Sequence, residues 1–381
     1  MESDIQISAM ESGIRIPPIV RQTMELIQFD DPNSKIQAAK EIRRLTKTSQ
    51  RYRRHFSGAI ESLVSMLRSN SLEFNESALL ALLNLAVKDE KNKVKIVDAG
   101  ALEPLICFLW SDSSNLREYA TAALLTLSAS AINKPTISSS GAIPLLVEIL
   151  RDGSPQAKVD AVMTLYNLST RTENLTIILA AKAIPPLVNL LKSCKKSSKT
   201  AEKCSALIES LLDFDEGRTA LTAEEGGVLA VVEVLENGSL QSREHAVGAL
   251  LKMCVSDRAR YREPILKEGV IPGLLELTVQ GTPKSQSKAH TLLQLLRDSP
   301  YPRSELEADT LENIVCNIVS QIDGEDRGEK AKKMLAEMVQ VSMEQSLRHL
   351  QQRALYRGVD FPRWRNKNIE ENASPGRDGI E

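Results

Sequence analysis

Seven polar residues recur at a nearly constant spacing inside stretches that are otherwise apolar. They are Arg44, Asn84, Thr126, Asn167, Ser210, Lys252 and Gln294, separated by steps of 40, 42, 41, 43, 42 and 42 residues. An asparagine amide offers both a donor and an acceptor, which match the C=O and N–H of a peptide group. A regular row of such groups suits an extended polypeptide segment. Alternatively, these side chains cap neighbouring backbone groups or face solvent, and the sequence leaves both interpretations open.

Residues that commonly carry catalysis or bind metal form no recognised pattern in this chain. The four histidines are far apart, and the sequence contains no HExxH, CxxC or GxSxG motif. Cys194 and Cys204 have no neighbouring histidine, and no glycine-rich phosphate loop follows a strand. We therefore expect a protein that is not an enzyme and that has neither a metal site nor a cofactor.

Repeated helices must position the polar row. A phrase of the type GAIPLLVEIL begins at Gly58, Gly100, Gly141, Lys182, Gly226 and Gly269. Its apolar residues, for example Ile143, Leu146, Val147 and Leu150, follow the i, i+3, i+4, i+7 pattern of an amphipathic helix. A more apolar second helix comes next, and a short third segment precedes the following phrase. Three helices in a period of about 40 to 47 residues favour armadillo over HEAT repeats.

The flanks of the repeats divide the chain into five segments. We expect a flexible N-terminus over 1–17, a degenerate N-terminal capping repeat over 18–57 and six armadillo repeats over 58–298. A divergent seventh repeat with a closing helix over 299–357 and a disordered tail over 358–381 complete the prediction. The predicted fold class is all-α, a right-handed α-solenoid (superhelix) of armadillo repeats.

Composition and charge argue against several classes of function. The 381 residues are 42% apolar and 26% charged, and the net charge of -2 provides no global attraction for nucleic acid or anionic membranes. No apolar stretch is long enough to cross a membrane, and the N-terminus has no signal-peptide pattern. Five cysteines, an odd number at irregular spacing, indicate reduced and mostly buried thiols. We expect a cytoplasmic and/or nuclear protein without membrane insertion.

The repeat phrases resemble those of plant U-box armadillo proteins. The resemblance rests on GAIPLLVEIL, on the helix endings LLNLA and LYNLS, and on the segment ENLTIILAA. In that group a U-box, which docks a ubiquitin-conjugating enzyme, precedes the repeats. Only a short segment precedes the first repeat helix here, so we expect no U-box and no ubiquitin ligase activity of its own.

The resemblance implies that the polar row lines a concave groove that holds an extended partner segment. Asn84 and Asn167 match the family's asparagine, whereas Thr126, Ser210, Lys252 and Gln294 depart from it. Nuclear-import adaptors carry tryptophan one turn earlier, where this chain has Leu80, Ala122, Met163, Ala206, Gly248 and His290. A receptor for nuclear-localisation signals is therefore not expected. The small residues Ala122, Ala206 and Gly248 would instead admit close approach of a backbone.

Two charged sets have both a structural and a functional interpretation. The first set consists of four carboxylates that lie eight residues before members of the row: Glu76, Glu118, Glu202 and Glu244. Their position near the first turn of a helix favours helix capping over an acidic strip for a basic ligand. The second set is a basic cluster, which we interpret as a solvent-exposed surface of the first helices. Docking of an acidic or phosphorylated segment is the alternative interpretation. The cluster consists of Arg43, Arg44, Lys47, Arg51, Arg53 and Arg54.

These features together predict a non-catalytic protein–protein interaction scaffold in signalling or ubiquitin-linked regulation. By the resemblance, its partner is a kinase or a ubiquitin-pathway client. One alternative is a component or regulator of an E3 ubiquitin ligase pathway, and another is a self-assembling structural solenoid. We expect a monomer that binds no nucleic acid.

Overall fold

The computed structural model describes residues 16–297, and the regular elements in this range are all helices. The first two, α1 (Pro18–Leu26) and α2 (Pro32–Thr46), are followed by six triplets. The triplets are α3 (Gln50–His55), α4 (Ile60–Met66), α5 (Leu72–Ala86); α6 (Glu90–Asp98), α7 (Leu102–Leu109), α8 (Ser114–Ser128); α9 (Lys134–Ser139), α10 (Ala142–Asp152), α11 (Pro155–Ser169); α12 (Glu173–Ala180), α13 (Ile184–Ser193), α14 (Lys199–Leu211); α15 (Asp215–Ala223), α16 (Gly227–Asn237), α17 (Leu240–Ser256); and α18 (Arg258–Lys267), α19 (Ile271–Gln280), α20 (Pro283–Leu296). A short 3-10 helix, Phe56–Ala59, joins α3 to α4.

The last helix of each triplet, together with α2, forms a layer of long helices. Each long helix packs on the next one, and each triplet's long helix also packs on the second helix of its own unit. One continuous hydrophobic core results, from Val20 in α1 to Leu296 in α20. A stack in which each unit contacts its neighbours in this way buries a face that no single unit could bury alone.

In the last five units the second helix begins at or just after a backbone turn that the repeat phrase encodes. Gly141 has φ 83°, in the left-handed region that glycine enters without a steric cost, and α10 starts at the next residue. Lys182 occupies the equivalent place in the next unit with φ 59°. The turn therefore persists where the sequence has lost the glycine, because the surrounding packing imposes it.

Buried asparagines in the first helices connect successive units. Asn133 is 2% exposed, and its Nδ2 donates to the carbonyl of Leu127 at 3.2 Å and to that of Lys93 at 3.0 Å. Asn92 and Asn174 bond the last turns of α5 and α11 in the same way. Each of these buried amides thus bonds the first helix of one unit to the preceding unit.

Several sequence predictions fall outside the described residues. They concern the seventh repeat and closing helix (299–357), the tail (358–381) and nearly all of the N-terminal segment (1–17). The described residues belong to one compact unit that ends at Arg297. Within it, no single helix is long and apolar enough to cross a membrane, although α12 and α13 pass this test as a pair bent by 83°.

Candidate functional site

One face of the long helices carries no packed element of the described chain. Equivalent positions on the long helices can be numbered from one fully buried residue on each helix. These reference residues are Ala38, Ala78, Ala120, Ala161, Cys204, Ala246 and Ala289. Residues two, five and six positions further along are mostly half-buried or exposed. These three positions define what we term the open face, and they are written below as +2, +5 and +6.

The predicted polar row follows the +6 position with one exception. Arg44, Asn84, Thr126, Asn167, Ser210 and Lys252 all lie there. Gln294 lies at +5, and Leu295 takes the +6 position on α20. The placement of Gln294 in the row is therefore wrong by one residue, because the buried residues Ala246 and Ala289 are 43 positions apart rather than 42.

Two asparagines of the row each donate one side-chain hydrogen bond to the preceding unit. Nδ2 of Asn84 donates to the carbonyl of Arg43 at 2.8 Å, and Nδ2 of Asn167 donates to Ser128 Oγ at 3.1 Å. No donor from the described residues reaches either Oδ1 atom. Each amide therefore has a structural role and still presents an acceptor to a partner's backbone N–H.

The remaining polar members of the row make bonds of a different kind. The hydroxyls of Thr126 and Ser210 donate to carbonyls one turn earlier in their own helices, at 2.9 and 3.1 Å. Arg44 forms a two-pronged ion pair with Glu41, with contacts of 2.6 and 2.8 Å. The row is thus a line of polar groups with unequal chemistry rather than a uniform peptide-binding ladder.

A charged cluster covers the open face of the last three units. The carboxylate of Glu209, at +5 on α14, contacts His245 Nδ1 at 2.7 Å and Lys288 Nζ at 2.8 Å. Lys252 Nζ donates to the backbone carbonyl of Glu209 at 2.8 Å and contacts Asp213 Oδ1 at 2.7 Å. These contacts connect α14, α17 and α20, so a side chain of one unit bridges the next two.

The ionised form of Glu209 is favoured by this cluster. Burial opposes its ionisation, but hydrogen bonds from His245 and Lys288, together with the charge on Lys288, outweigh that effect and lower its pKa. A negative charge is therefore maintained at this point of the open face at neutral pH.

Gly248 lies beneath this cluster rather than beneath an open channel. A Cβ atom at Gly248 would fall 1.8 Å from Glu209 Oε1 and 2.6 Å from Lys288 Nζ. The space that glycine leaves is thus filled by the carboxylate of the preceding unit. The sequence interpretation that Gly248 admits a partner's backbone is therefore wrong.

Two of the four predicted carboxylates take part in helix capping, but for the next unit rather than their own. Glu118 accepts a hydrogen bond of 2.6 Å from Ser154, and Glu244 accepts one of 2.5 Å from Thr282. Ser154 and Thr282 are the N-cap residues of α11 and α20. These carboxylates stabilise the stack and do not form a free acidic strip.

Asp160 is a buried carboxylate that the sequence interpretation overlooked. Burial raises its pKa; a hydrogen bond from Gln156 opposes this shift, and the nearby Glu118 adds to it.

The basic cluster near the N-terminus divides into engaged and unengaged side chains. Arg53 is buried and donates to the carbonyls of Thr46 and Lys47, both at 3.0 Å, so its role is structural. Arg43 and Lys47 are exposed, and their side chains form no ion pair or hydrogen bond within residues 16–297. Only part of this cluster is thus available to an acidic ligand.

Thiols and acidic groups in the described residues offer no metal centre. No group of three or more His, Cys, Asp or Glu side chains is placed to hold a metal ion in residues 16–297. Cys204 and Cys254 are buried, and burial raises the pKa of Cys254 to about 11. Cys107 is exposed, so the expectation of buried thiols is wrong for this residue.

Comparison with known proteins assigns the repeats to a family. The sequence profile described as "Plant U-box protein ARM repeat region" matches residues 19–316. The chain belongs to this family. U-box domain-containing proteins 45 and 25 of Arabidopsis thaliana are 33% identical over 97 residues and 37% identical over 100 residues. Each alignment covers 26% of this chain but only 12% and 23% of the relative, so the chain matches a small part of their length.

One solved structure shares the fold of this chain, and the armadillo assignment itself rests on the family match. An engineered protein solved by the Northeast Structural Genomics Consortium is 21% identical and has a TM-score of 0.62, covering 82% of this chain and 76% of that chain. A designed armadillo repeat protein is 20% identical, with a TM-score of 0.46 over 73% of this chain and all of that chain. The prediction of an all-α armadillo solenoid is confirmed.

The open face of these armadillo repeats presents amides, hydroxyls and charged groups on seven successive long helices. Such a row of hydrogen-bonding groups is suited to binding an extended segment. Sequence reasoning found the +6 row but missed the +5 column, which includes Glu209. The signal was present, since a glycine at 248 in the middle of a long helix requires a packing reason.

Proposed function

We propose that the chain is a non-catalytic scaffold that binds a segment of a partner protein across the open face of its armadillo repeats. The open face carries this proposal, because it runs over consecutive long helices and has no packed element among the described residues. The Oδ1 atoms of Asn84 on α5 and Asn167 on α11 supply two acceptors along it. A rigid stack lowers the ordering cost of capturing such a segment.

The proposal also covers the kind of partner, the oligomeric state and the cellular location. The partner is a protein, either a kinase or a ubiquitin-pathway client, and the chain acts as a monomer in the cytoplasm and/or the nucleus. Binding of nucleic acid is not proposed, since the net charge is -2.

Site-specific photo-crosslinking tests the location of the partner. A crosslinking amino acid replaces Thr126, on the open face, or Thr136, an exposed residue of α9 away from it. After irradiation in an extract of the source tissue, we expect crosslinked partners from position 126 and not from position 136. Equal crosslinking from both positions would contradict the proposal. Crosslinks between two copies of the chain would instead favour a self-assembling solenoid.

A second candidate is a component or regulator of an E3 ubiquitin ligase pathway. The observation that favours it is the family match, because the relatives in Arabidopsis thaliana are U-box domain-containing proteins. Purified E1, a panel of E2 enzymes and ubiquitin provide the test. Chain formation that depends on this protein would establish a role in ligation and would refute a purely passive scaffold.

A further inference from the structure

The open face changes its chemistry along the stack. On the three long helices α5, α8 and α11 the +2 and +5 positions are apolar and half-buried. They hold Leu80, Leu83, Ala122, Leu125, Met163 and Tyr166, which we term the apolar strip. Half-buried side chains of this kind still have apolar surface to remove from water when a ligand covers them.

On the C-terminal side, the apolar strip ends at charges that neutralise one another. Lys203 Nζ lies 4.0 Å from the centroid of the Tyr166 ring and also contacts Glu202 at 3.2 Å. Beyond it, Glu209 is held by His245 and Lys288. A ligand would have to break these pairs to use the last three units, so the open binding surface lies on the N-terminal side.

On the N-terminal side, the apolar strip ends at positive charge that is only partly neutralised. The open-face positions of α2 are Lys40, Arg43 and Arg44, and Lys47 follows at the end of that helix. Lys40 pairs with Glu73 at 2.8 Å and Arg44 pairs with Glu41 at 2.6 Å. Arg43 and Lys47 are left exposed without an ion pair among residues 16–297. This end therefore complements a carboxylate and repels a basic ligand.

We infer that the open face from α2 to α11 binds an extended protein segment whose central side chains are apolar and whose end over α2 is acidic. This inference rests on the proposed function and specifies the partner's chemistry. Packed helices lie about 8 to 10 Å apart and an extended chain advances about 3.3 Å per residue. About three residues of the segment thus cover the distance from one long helix to the next. The three intervals between α2 and α11 therefore correspond to about nine residues.

Selection from a random dodecapeptide library on the whole chain tests the inference. We expect the enriched peptides to combine apolar residues in the centre with a net negative charge. A fluorescent copy of an enriched peptide then gives affinities by anisotropy. The double variant Leu83→Gln/Leu125→Gln should weaken binding by about tenfold. Lys47→Glu should weaken it by about threefold, because Lys47 is an exposed charge.

Matched variants separate local from general effects. Leu275→Gln changes an exposed leucine of α19, and Lys267→Glu changes an exposed lysine of α18, both away from the open face. We expect neither control to alter peptide affinity. Lys47→Glu lies at an exposed helix end and leaves the core intact, so it remains informative even if the double leucine variant folds poorly.

The outcomes distinguish this inference from the proposed function. Enriched peptides that are basic or purely polar, yet are lost with Thr126→Arg, would overturn the inference and leave binding on the open face in place. Peptides that bind the wild type, the double leucine variant and Thr126→Arg equally would overturn both. Loss of affinity with Leu275→Gln or Lys267→Glu would also refute the assigned surface.

Discussion

Replacing Gly248 by alanine should destabilise the stack, although the same change usually stabilises a helix. Alanine in a helix interior is favoured over glycine by about 1 kcal/mol. Gly248 lies near the middle of α17, so this gain applies to it. However, the new Cβ would fall 1.8 Å from Glu209 Oε1, so the carboxylate must move, and we expect this movement to break its contacts with His245 and Lys288.

The size of the loss follows from the two contacts. A hydrogen bond to a charged group contributes about 1.5 to 3 kcal/mol, and the lower end applies here because His245 and Lys288 can reach water once they are released. Losing both bonds costs about 3 kcal/mol, and the helix-propensity gain of about 1 kcal/mol offsets part of it. We expect a net destabilisation of about 2 kcal/mol.

Urea denaturation followed by circular dichroism measures this effect as a shift of the midpoint. Gly248→Ala should lower the midpoint in the wild-type background. In a Glu209→Ala background the carboxylate is absent, and Lys288, whose Nζ lies 2.6 Å from the new Cβ, has lost its partner and can turn to solvent. Gly248→Ala should then raise the midpoint, by the equivalent of about 1 kcal/mol. A higher midpoint for Gly248→Ala in the wild-type background would refute the role assigned to Glu209.

Three further perturbations test other parts of the structure. Because the pKa of Asp160 is raised, the folded state holds its proton to a higher pH than the unfolded state, and the wild type gains stability as pH falls through that window. Asp160→Asn should therefore raise the urea midpoint at pH 7, and this advantage should vanish below about pH 3.9, where both states are protonated; a constant advantage would contradict this account. Asn133→Ala removes the two hydrogen bonds that Nδ2 donates to the preceding unit and should cost about 1 to 3 kcal/mol, read from the same urea titration; an unchanged midpoint would refute the linking role. Cys107 should react rapidly with a thiol reagent in the folded chain, whereas Cys254 should react only in denaturant, as peptide mapping by mass spectrometry would show. Rapid labelling of Cys254 in the folded chain would contradict its buried position.

Much of the fold could be predicted because local chemistry repeats with a period. The recurring phrase, which begins at Gly141 and at Lys182 in the next unit, places an amphipathic helix at each interval, preceded by a left-handed turn in every unit but the first. Because a helix buries residues with a period of 3.6, the sequence also identified most of the +6 row, including Asn84 and Asn167. The error at Gln294 arose where the repeat length changes by one residue, which rotates a side chain by about 100° around its helix.

The sequence by itself thus determined the helical units, their order and the residues that each unit buries, since these depend on residues that are close in the chain. Only the tertiary structure decided which polar groups are already engaged. Glu209 and Lys288 are 79 positions apart, and they meet because Gly248, on the helix between them, leaves room. Stacking brings side chains of three units within hydrogen-bonding distance, and the geometry of that contact depends on atoms that no single repeat contains.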